Sequence, residues 1–199
     1  MRTFLSAVFL LFLTTAITAQ DAKIGGKAPA FSLEDSQGKT HNLSDFNGKY
    51  VVLEWINFDC PFVKKHYDSG NMQRLQKKFT EKGVIWLSVC SSKKGKQGNF
   101  TNEEINSRSK KLSAAPTAYL VDESGEVGKS YGAKTTPHMY VINPEGTLVY
   151  MGAIDDKPTT DVEDIEGATN YVTEALNSLM NGKEVKTKST KAYGCSVKY

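Results

Sequence analysis

The chain has 199 residues, a formal net charge of +3 at pH 7 and 39% hydrophobic residues. This length fits one compact domain with short extensions, and the near-neutral charge gives no electrostatic reason to expect nucleic-acid binding. With only 3 cysteines, the fold must rest on a hydrophobic core and not on a disulfide scaffold. Because the number is odd, at least one thiol is free or paired outside the chain.

Residues 1–19 have the pattern of a secretory signal peptide. Arg2 provides a basic start, the segment 4–13 is apolar, and small residues lead to an expected cleavage site after Ala19. The apolar segment is too short to span a bilayer and no later segment is long enough, so stable membrane insertion is not expected. We therefore predict an exported protein, periplasmic or secreted, in a compartment that permits disulfide bonds.

Strands alternate with helices along the rest of the chain. The hydrophobic pattern predicts a short hairpin beginning near Phe31, then strands at 51–56, 84–90, 117–121, 139–142 and 147–151. Helices are predicted at 61–82, with a kink near Gly70, at 101–112, around 127–131 and within 161–180. This order predicts an α/β fold with a mixed central β-sheet flanked by helices and an N-terminal β extension.

The predicted domain occupies residues 20–182, and a basic tail follows at 183–199. The tail is rich in lysine and is predicted to be a flexible, solvated arm that carries Cys195. An acidic segment at 155–166 is interpreted as another solvated face, because its spacing does not match a calcium-binding loop.

Cys60 lies between a buried strand and a helix, a position with chemical consequences. Pro61 suits the first helical position because the N–H that proline lacks has no intrahelical partner there. The helix N-terminus directs unpaired N–H groups and a partial positive charge at the sulfur, which favours the thiolate. We interpret Cys60 as a nucleophile; the alternative is an inert buried cysteine. Asn57 stands where a C-x-x-C motif would have its first cysteine, so dithiol exchange within that motif is excluded.

Short motifs spread over residues 24–199 occur in the order and spacing of a known family. They are Gly26–Leu33, Gly48–Leu53, Asp59–Lys64, Tyr131–Ala133, Thr135–Pro137, Gly146–Tyr150 with Gly152, and Gly194–Lys198. Together they resemble the thioredoxin-like redoxins of the alkyl hydroperoxide reductase/thiol-specific antioxidant superfamily, in the peroxiredoxin-like branch. One departure is that Leu53 stands where the proline opening the peroxiredoxin active-site loop would fall.

The resemblance implies a thioredoxin-like fold and roles for five residues. Cys60 takes the peroxidatic position, and Asn57 is either a hydrogen-bond donor to its thiolate or a plain loop residue. The Thr136–Pro137 peptide bond is expected to be cis and to face Cys60, where Thr136 pairs with a substrate backbone. Cys195 is a candidate resolving cysteine; the alternatives are an unpaired tail residue, a bond to another chain or a bond to Cys90.

The expected function is that of an exported thiol-based oxidoreductase with Cys60 as the nucleophile, acting on a peroxide or a protein disulfide with an unknown thiol reductant. The alternative is a redox-inactive binding module for a peptide or protein partner. Loss of a cysteine at position 57 favours the binding module, whereas retention of Cys60 and Cys195 favours the oxidoreductase. No cofactor or metal site is predicted, because His41, His66 and His138 lack metal-ligand spacing. A homodimer is compatible with the resemblance, although nothing in the sequence fixes an interface.

Overall fold

The computed structural model describes residues 21–199, so the predicted signal peptide lies outside the described residues. The strands are β1 (Ser32–Asp35), β2 (Thr40–Asn42), β3 (Val51–Trp55), β4 (Ile85–Cys90), β5 (Ala118–Val121), β6 (Thr135–Thr136), β7 (His138–Ile142), β8 (Leu148–Gly152) and β9 (Cys195–Ser196). Seven of them form one mixed sheet in the order β2-β1-β5-β4-β3-β7-β8, and β6 pairs with β9 in a small second sheet. Within the large sheet, β3 is parallel to β4 and antiparallel to β7. The predicted mixed α/β fold is confirmed.

Five α-helices among the described residues accompany the sheet. They are α1 (Pro61–Asp68), α2 (Asn71–Thr80), α3 (Asn102–Lys111), α4 (Glu126–Ser130) and α5 (Tyr171–Met180). The predicted helix at 61–82 is therefore two helices. The break falls at Gly70, whose φ of +71° lies in the left-handed region that glycine tolerates best. No helix within residues 21–199 is long and apolar enough to cross a bilayer.

Both faces of the sheet are covered by apolar side chains. Along β3, Val51, Leu53 and Trp55 belong to one buried cluster, and Val52 belongs to the cluster on the other face. This alternation follows from the two-residue period of a strand. Because both faces are buried, β3 appears in the sequence as a nearly continuous hydrophobic run.

Glu54 is the one charged residue in that run. Its side chain is fully buried on the same face of the sheet as Val52. It accepts hydrogen bonds from Tyr67 Oη at 2.9 Å, Trp86 Nε1 at 2.8 Å, Ser88 Oγ at 3.1 Å and Gln76 Nε2 at 3.1 Å. These bonds tie β3 to α1, α2 and β4. A buried acid with four donors is a structural joint between the sheet and the helices that follow Cys60.

The tail at 183–199 differs from the predicted flexible arm, because it is hydrogen-bonded to the domain along its length. Val185 is buried, and Thr190 Oγ1 accepts from the Ala153 backbone N–H at 2.9 Å. Further on, β9 pairs with β6, and Tyr199 Oη donates to the Ala133 carbonyl at 2.7 Å. Apolar contacts and backbone pairing thus hold the tail on the domain, although its many lysines predicted a solvated arm.

Candidate active site

Cys60 is the N-cap of α1, with an extended backbone (φ −73°, ψ 124°) and Pro61 at the first helical position. Its carbonyl accepts from the backbone N–H groups of Val63 at 3.0 Å and Lys64 at 2.9 Å. The residue is 0% exposed, and its thiol donates to the Thr136 carbonyl at 3.0 Å. The strand–cysteine–proline–helix pattern therefore places the sulfur at the start of a helix, but inside the molecule.

The opposite wall of the site is the segment before β7. The Thr136–Pro137 peptide bond is cis, and Thr136 is 2% exposed. Its carbonyl accepts the Cys60 thiol, whereas its buried Oγ1 has no hydrogen-bond partner among the described residues. A hydroxyl that rotates freely can donate to a thiolate, so one residue can accept from the Cys60 thiol and donate to the thiolate.

The tail brings Cys195 to this wall. In the antiparallel pairing of β6 with β9, Cys195 lies opposite Thr136. Gly194 precedes it with a φ of +130°, and a Cβ there would lie only 2.0 Å from the Thr136 carbonyl oxygen. Only glycine allows the tail backbone to approach this closely. The result is that Cys195 packs against the buried cluster that contains Cys60 and lies beside the Thr136 carbonyl that accepts the Cys60 thiol.

The two thiols differ in acidity. Burial disfavours the Cys60 thiolate, but the neighbouring Cys195 and Thr136 side chains and nearby backbone groups favour it more strongly and lower the pKa of Cys60. Burial and the adjacent Cys60 sulfur raise the pKa of Cys195 to about 11. Cys60 is therefore the more acidic of the two thiols, which agrees with its predicted role as the nucleophile.

Asn57 does not make the contact considered for it. Its Nδ2 donates to the Gln97 carbonyl at 3.4 Å, and its Oδ1 accepts from the Asp59 backbone N–H at 3.0 Å. The amide therefore fixes the loop before Cys60 instead of donating to the thiolate. Asp59 pairs with Arg108 at 3.0 Å, and both side chains are partly exposed, so the Arg108 charge offsets that of Asp59 near Cys60.

Cys90, the third cysteine, and His138 are explained by their packing. Cys90 is buried, its Sγ lies 3.4 Å from both Ser92 Oγ and the Gly98 carbonyl oxygen, and burial raises its pKa. His138 Nδ1 lies 3.1 Å from Tyr140 Oη, and burial lowers the pKa of His138 to about 4. Within residues 21–199 no group of three or more potential ligands could hold a metal ion.

Sequence reasoning missed three residues that support the site. The sequence pattern predicts the strand that contains Glu54 as apolar. A charged residue within such a run indicates a buried, hydrogen-bonded group. Asp155 was assigned to a solvated acidic segment, but it is 2% exposed. Its partner is Tyr193 on the tail, and no local pattern connects two residues so far apart in the chain.

These features define a thioredoxin-like thiol protein, with one cysteine at a helix N-terminus and a second on a C-terminal strand beside it. The chain belongs to the AhpC/TSA family, whose model matches residues 24–151. This membership confirms the resemblance inferred from the motifs.

The relatives include a thiol-disulfide oxidoreductase and a peroxidase. The thiol-disulfide oxidoreductase ResA of Bacillus subtilis is 29% identical over 74% of this chain and 83% of its own. Glutathione peroxidase 1 of Helianthus annuus is 33% identical over 38% of this chain and 44% of its own.

Among solved structures, an uncharacterized conserved protein from Geobacillus kaustophilus has a TM-score of 0.76 at 29% identity, covering 89% of this chain and 92% of its own. The thioredoxin domain of a thiol-disulfide oxidoreductase from Bacteroides vulgatus has a TM-score of 0.53 at 21% identity, covering 74% and 97%. The second likeness concerns the fold alone.

Proposed function

We propose that this protein is an exported thiol–disulfide oxidoreductase in which Cys60 and Cys195 form the redox-active pair. The observation that carries the proposal is the pairing of β9 with β6, which sets Cys195 opposite Thr136, the residue whose carbonyl accepts the Cys60 thiol at 3.0 Å. The lower pKa on Cys60 agrees with its role as the nucleophile. The tail sulfur takes the part that a second cysteine at position 57 would take in a C-x-x-C motif. Relatives named thiol-disulfide oxidoreductase support this class of reaction, and the signal-peptide pattern supports export.

In this reaction the Cys60 thiolate attacks one sulfur of a substrate disulfide, and the other substrate sulfur leaves as a thiolate. Cys195 then loses its proton and attacks the Cys60 sulfur, so that the bound substrate sulfur leaves as a second thiolate. The substrate has gained two electrons, and Cys60 and Cys195 have become a disulfide. An external thiol reductant restores the two cysteines by the same exchange.

Thr136 is the positioning group for both sulfurs. Its carbonyl accepts the Cys60 thiol, its otherwise unpartnered hydroxyl can donate to the thiolate, and its backbone pairs with Cys195. Hydrogen bonds to the charged form lower the free energy of that form. Pro137 follows Thr136 and has no backbone N–H, so it cannot compete as a donor for the acceptors beside Cys60.

Peroxide reduction is a second candidate. It is favoured by the complete burial of Cys60, because a small oxidant can reach a buried sulfur more readily than a protein can. Cys60 would be oxidised to the sulfenic acid while the peroxide leaves as an alcohol or water. Condensation with Cys195 would then release water and form the same disulfide. Hydrogen peroxide consumption, followed in the presence of a dithiol reductant, separates this reaction from disulfide exchange.

We expect the reduced protein to form a Cys60–Cys195 disulfide in a glutathione redox buffer. Intact mass should fall by two hydrogens, and alkylation should be lost at these two positions only. Cys90→Ser is the matched control and should behave as the wild type, whereas Cys60→Ser and Cys195→Ser should form no internal disulfide and lose turnover of a protein disulfide. Three alkylatable thiols in the oxidising buffer would instead favour the redox-inactive binding module.

A further inference from the structure

The proposed thiol chemistry does not use one group of buried and half-buried polar and titratable side chains. It comprises Lys65, His66, Asn71, Asp155 and Tyr193, which we call the latch cluster. Lys65, His66 and Asp155 are 2%, 0% and 2% exposed. Charged residues are rarely buried to this extent unless they are paired, so the cluster requires an explanation. Its members come from the helices after Cys60, from the segment after β8 and from the tail.

A chain of hydrogen bonds runs through the latch cluster and ends on the tail residue. Asn71 Nδ2 lies 2.9 Å from His66 Nδ1, which makes Nδ1 the acceptor when the amide is oriented in this way. The proton of the neutral imidazole is then on Nε2, 3.3 Å from Tyr193 Oη. Tyr193 Oη in turn donates to Asp155 Oδ1 at 2.5 Å. In this chain each donor therefore meets an acceptor, from Asn71 to Asp155.

The remaining members hold this chain in place. Lys65 Nζ donates to the Lys157 carbonyl at 2.8 Å and to Thr159 Oγ1 at 3.4 Å. Burial raises the pKa of Asp155, and the Tyr193 bond and the Lys65 charge oppose that shift. Burial, together with the Lys65 charge, lowers the pKa of His66 to about 3, so the imidazole is neutral. The Tyr193 ring also packs against Phe62, with the ring centroids 5.8 Å apart.

We propose that Tyr193 is a positioning residue, whose hydroxyl bond to buried Asp155 and His66 holds the tail so that Cys195 faces Cys60. This inference rests on the proposed Cys60–Cys195 chemistry. Tyr193 lies two residues before Cys195, and its partners lie on α1 and beside β8, which are fixed relative to Cys60. A tail fixed beside its sulfur presents that sulfur at a high effective concentration.

The test is the equilibrium of the Cys60–Cys195 disulfide with glutathione. In Tyr193→Phe, the ring remains but the hydroxyl is lost, and the equilibrium constant for forming the internal disulfide should fall about ten- to hundredfold. Cys60 of the reduced variant should also react faster with iodoacetamide, because the tail leaves the site more often. Tyr50→Phe is the matched control: it removes the Tyr50 Oη bond to the Leu179 carbonyl and should change neither readout.

A double-mutant cycle distinguishes positioning from general destabilisation. Tyr193→Phe and Asp155→Asn should each weaken disulfide formation, and the double variant should be no weaker than the poorer single variant, because both break the same bond. Urea unfolding of the reduced proteins measures the stability of the domain separately. A Tyr193→Phe protein with the wild-type disulfide equilibrium would overturn the inference while leaving the proposed function intact. Absence of the disulfide in the wild type would instead remove the proposed function itself.

Discussion

Replacing Glu54 with leucine should lower the free energy of unfolding by about 3–5 kcal/mol, since several buried donors each cost ~1–3 kcal/mol when left unsatisfied. Leucine preserves most of the volume but removes the acceptor shared by Tyr67, Gln76, Trp86 and Ser88. Tyr67 and Gln76 already bond each other at 3.0 Å, so they retain a partner. The Trp86 indole N–H and the Ser88 hydroxyl both lose their acceptor, and Trp86 Nε1, which can only donate, cannot be satisfied in any other role. Urea unfolding followed by far-ultraviolet circular dichroism measures the loss.

Two control variants show whether the loss of stability comes from the buried acceptor. Glu34 lies on β1 with an exposed side chain, so Glu34→Leu should change the stability by less than about 0.5 kcal/mol. Glu54→Gln keeps one acceptor oxygen and should lie between the wild type and Glu54→Leu. Equal stabilities for Glu54→Leu and Glu34→Leu would contradict the assignment of Glu54 as the joint between β3 and the helices.

The same residue should make stability depend on pH. Burial raises the pKa of Glu54 above its ordinary 4.5, against the opposing hydrogen bonds from Trp86 and Tyr67. Between 4.5 and the raised folded-state pKa, the folded protein retains a proton that the unfolded chain has lost. Stability therefore falls as the pH rises through that interval. Unfolding curves at several pH values should show this slope in the wild type relative to Glu54→Gln, which cannot titrate at this position.

Gly194→Ala should have the largest effect on the candidate active site. A Cβ at this position would lie 2.0 Å from the Thr136 carbonyl oxygen and 2.7 Å from its carbon. Backbone cannot yield as a side chain does, so we expect β9 to separate from β6. The Cys60–Cys195 disulfide should then fail to form in the glutathione buffer, and Cys60 should become accessible to iodoacetamide in the folded protein.

Gly182→Ala is the matched control for this substitution. Gly182 also has a positive φ, +66°, but a Cβ there would have no atom within 4 Å. It carries the backbone strain without the collision and should retain the disulfide. A Gly194→Ala protein that still oxidises like the wild type would show that the tail reaches Cys60 in another way.

The elements around Cys60 could be predicted because their causes are local. A run of apolar residues gives β3, Pro61 marks the start of α1, and Gly70 ends the first helix after Asp68. The tail could not be predicted in this way. Its position depends on backbone pairing with β6 and on Tyr193 meeting Asp155, contacts between residues far apart in the chain. The same limitation applies to Asn57, whose partner was set by a loop that the sequence describes only as polar.

The position of Cys195 on β9 has a consequence for heat resistance. Cys60 lies early in the domain and Cys195 at its far end, so oxidation would close most of the polypeptide into a ring. A ring on the order of 100 residues restricts the unfolded chain by about 4.7 kcal/mol in the entropic model. At the size of this domain, that difference corresponds to an unfolding temperature roughly 10–20 °C higher. The unfolding temperature measured by calorimetry would then show whether the disulfide is formed. An oxidising environment would make the folded protein more resistant to heat.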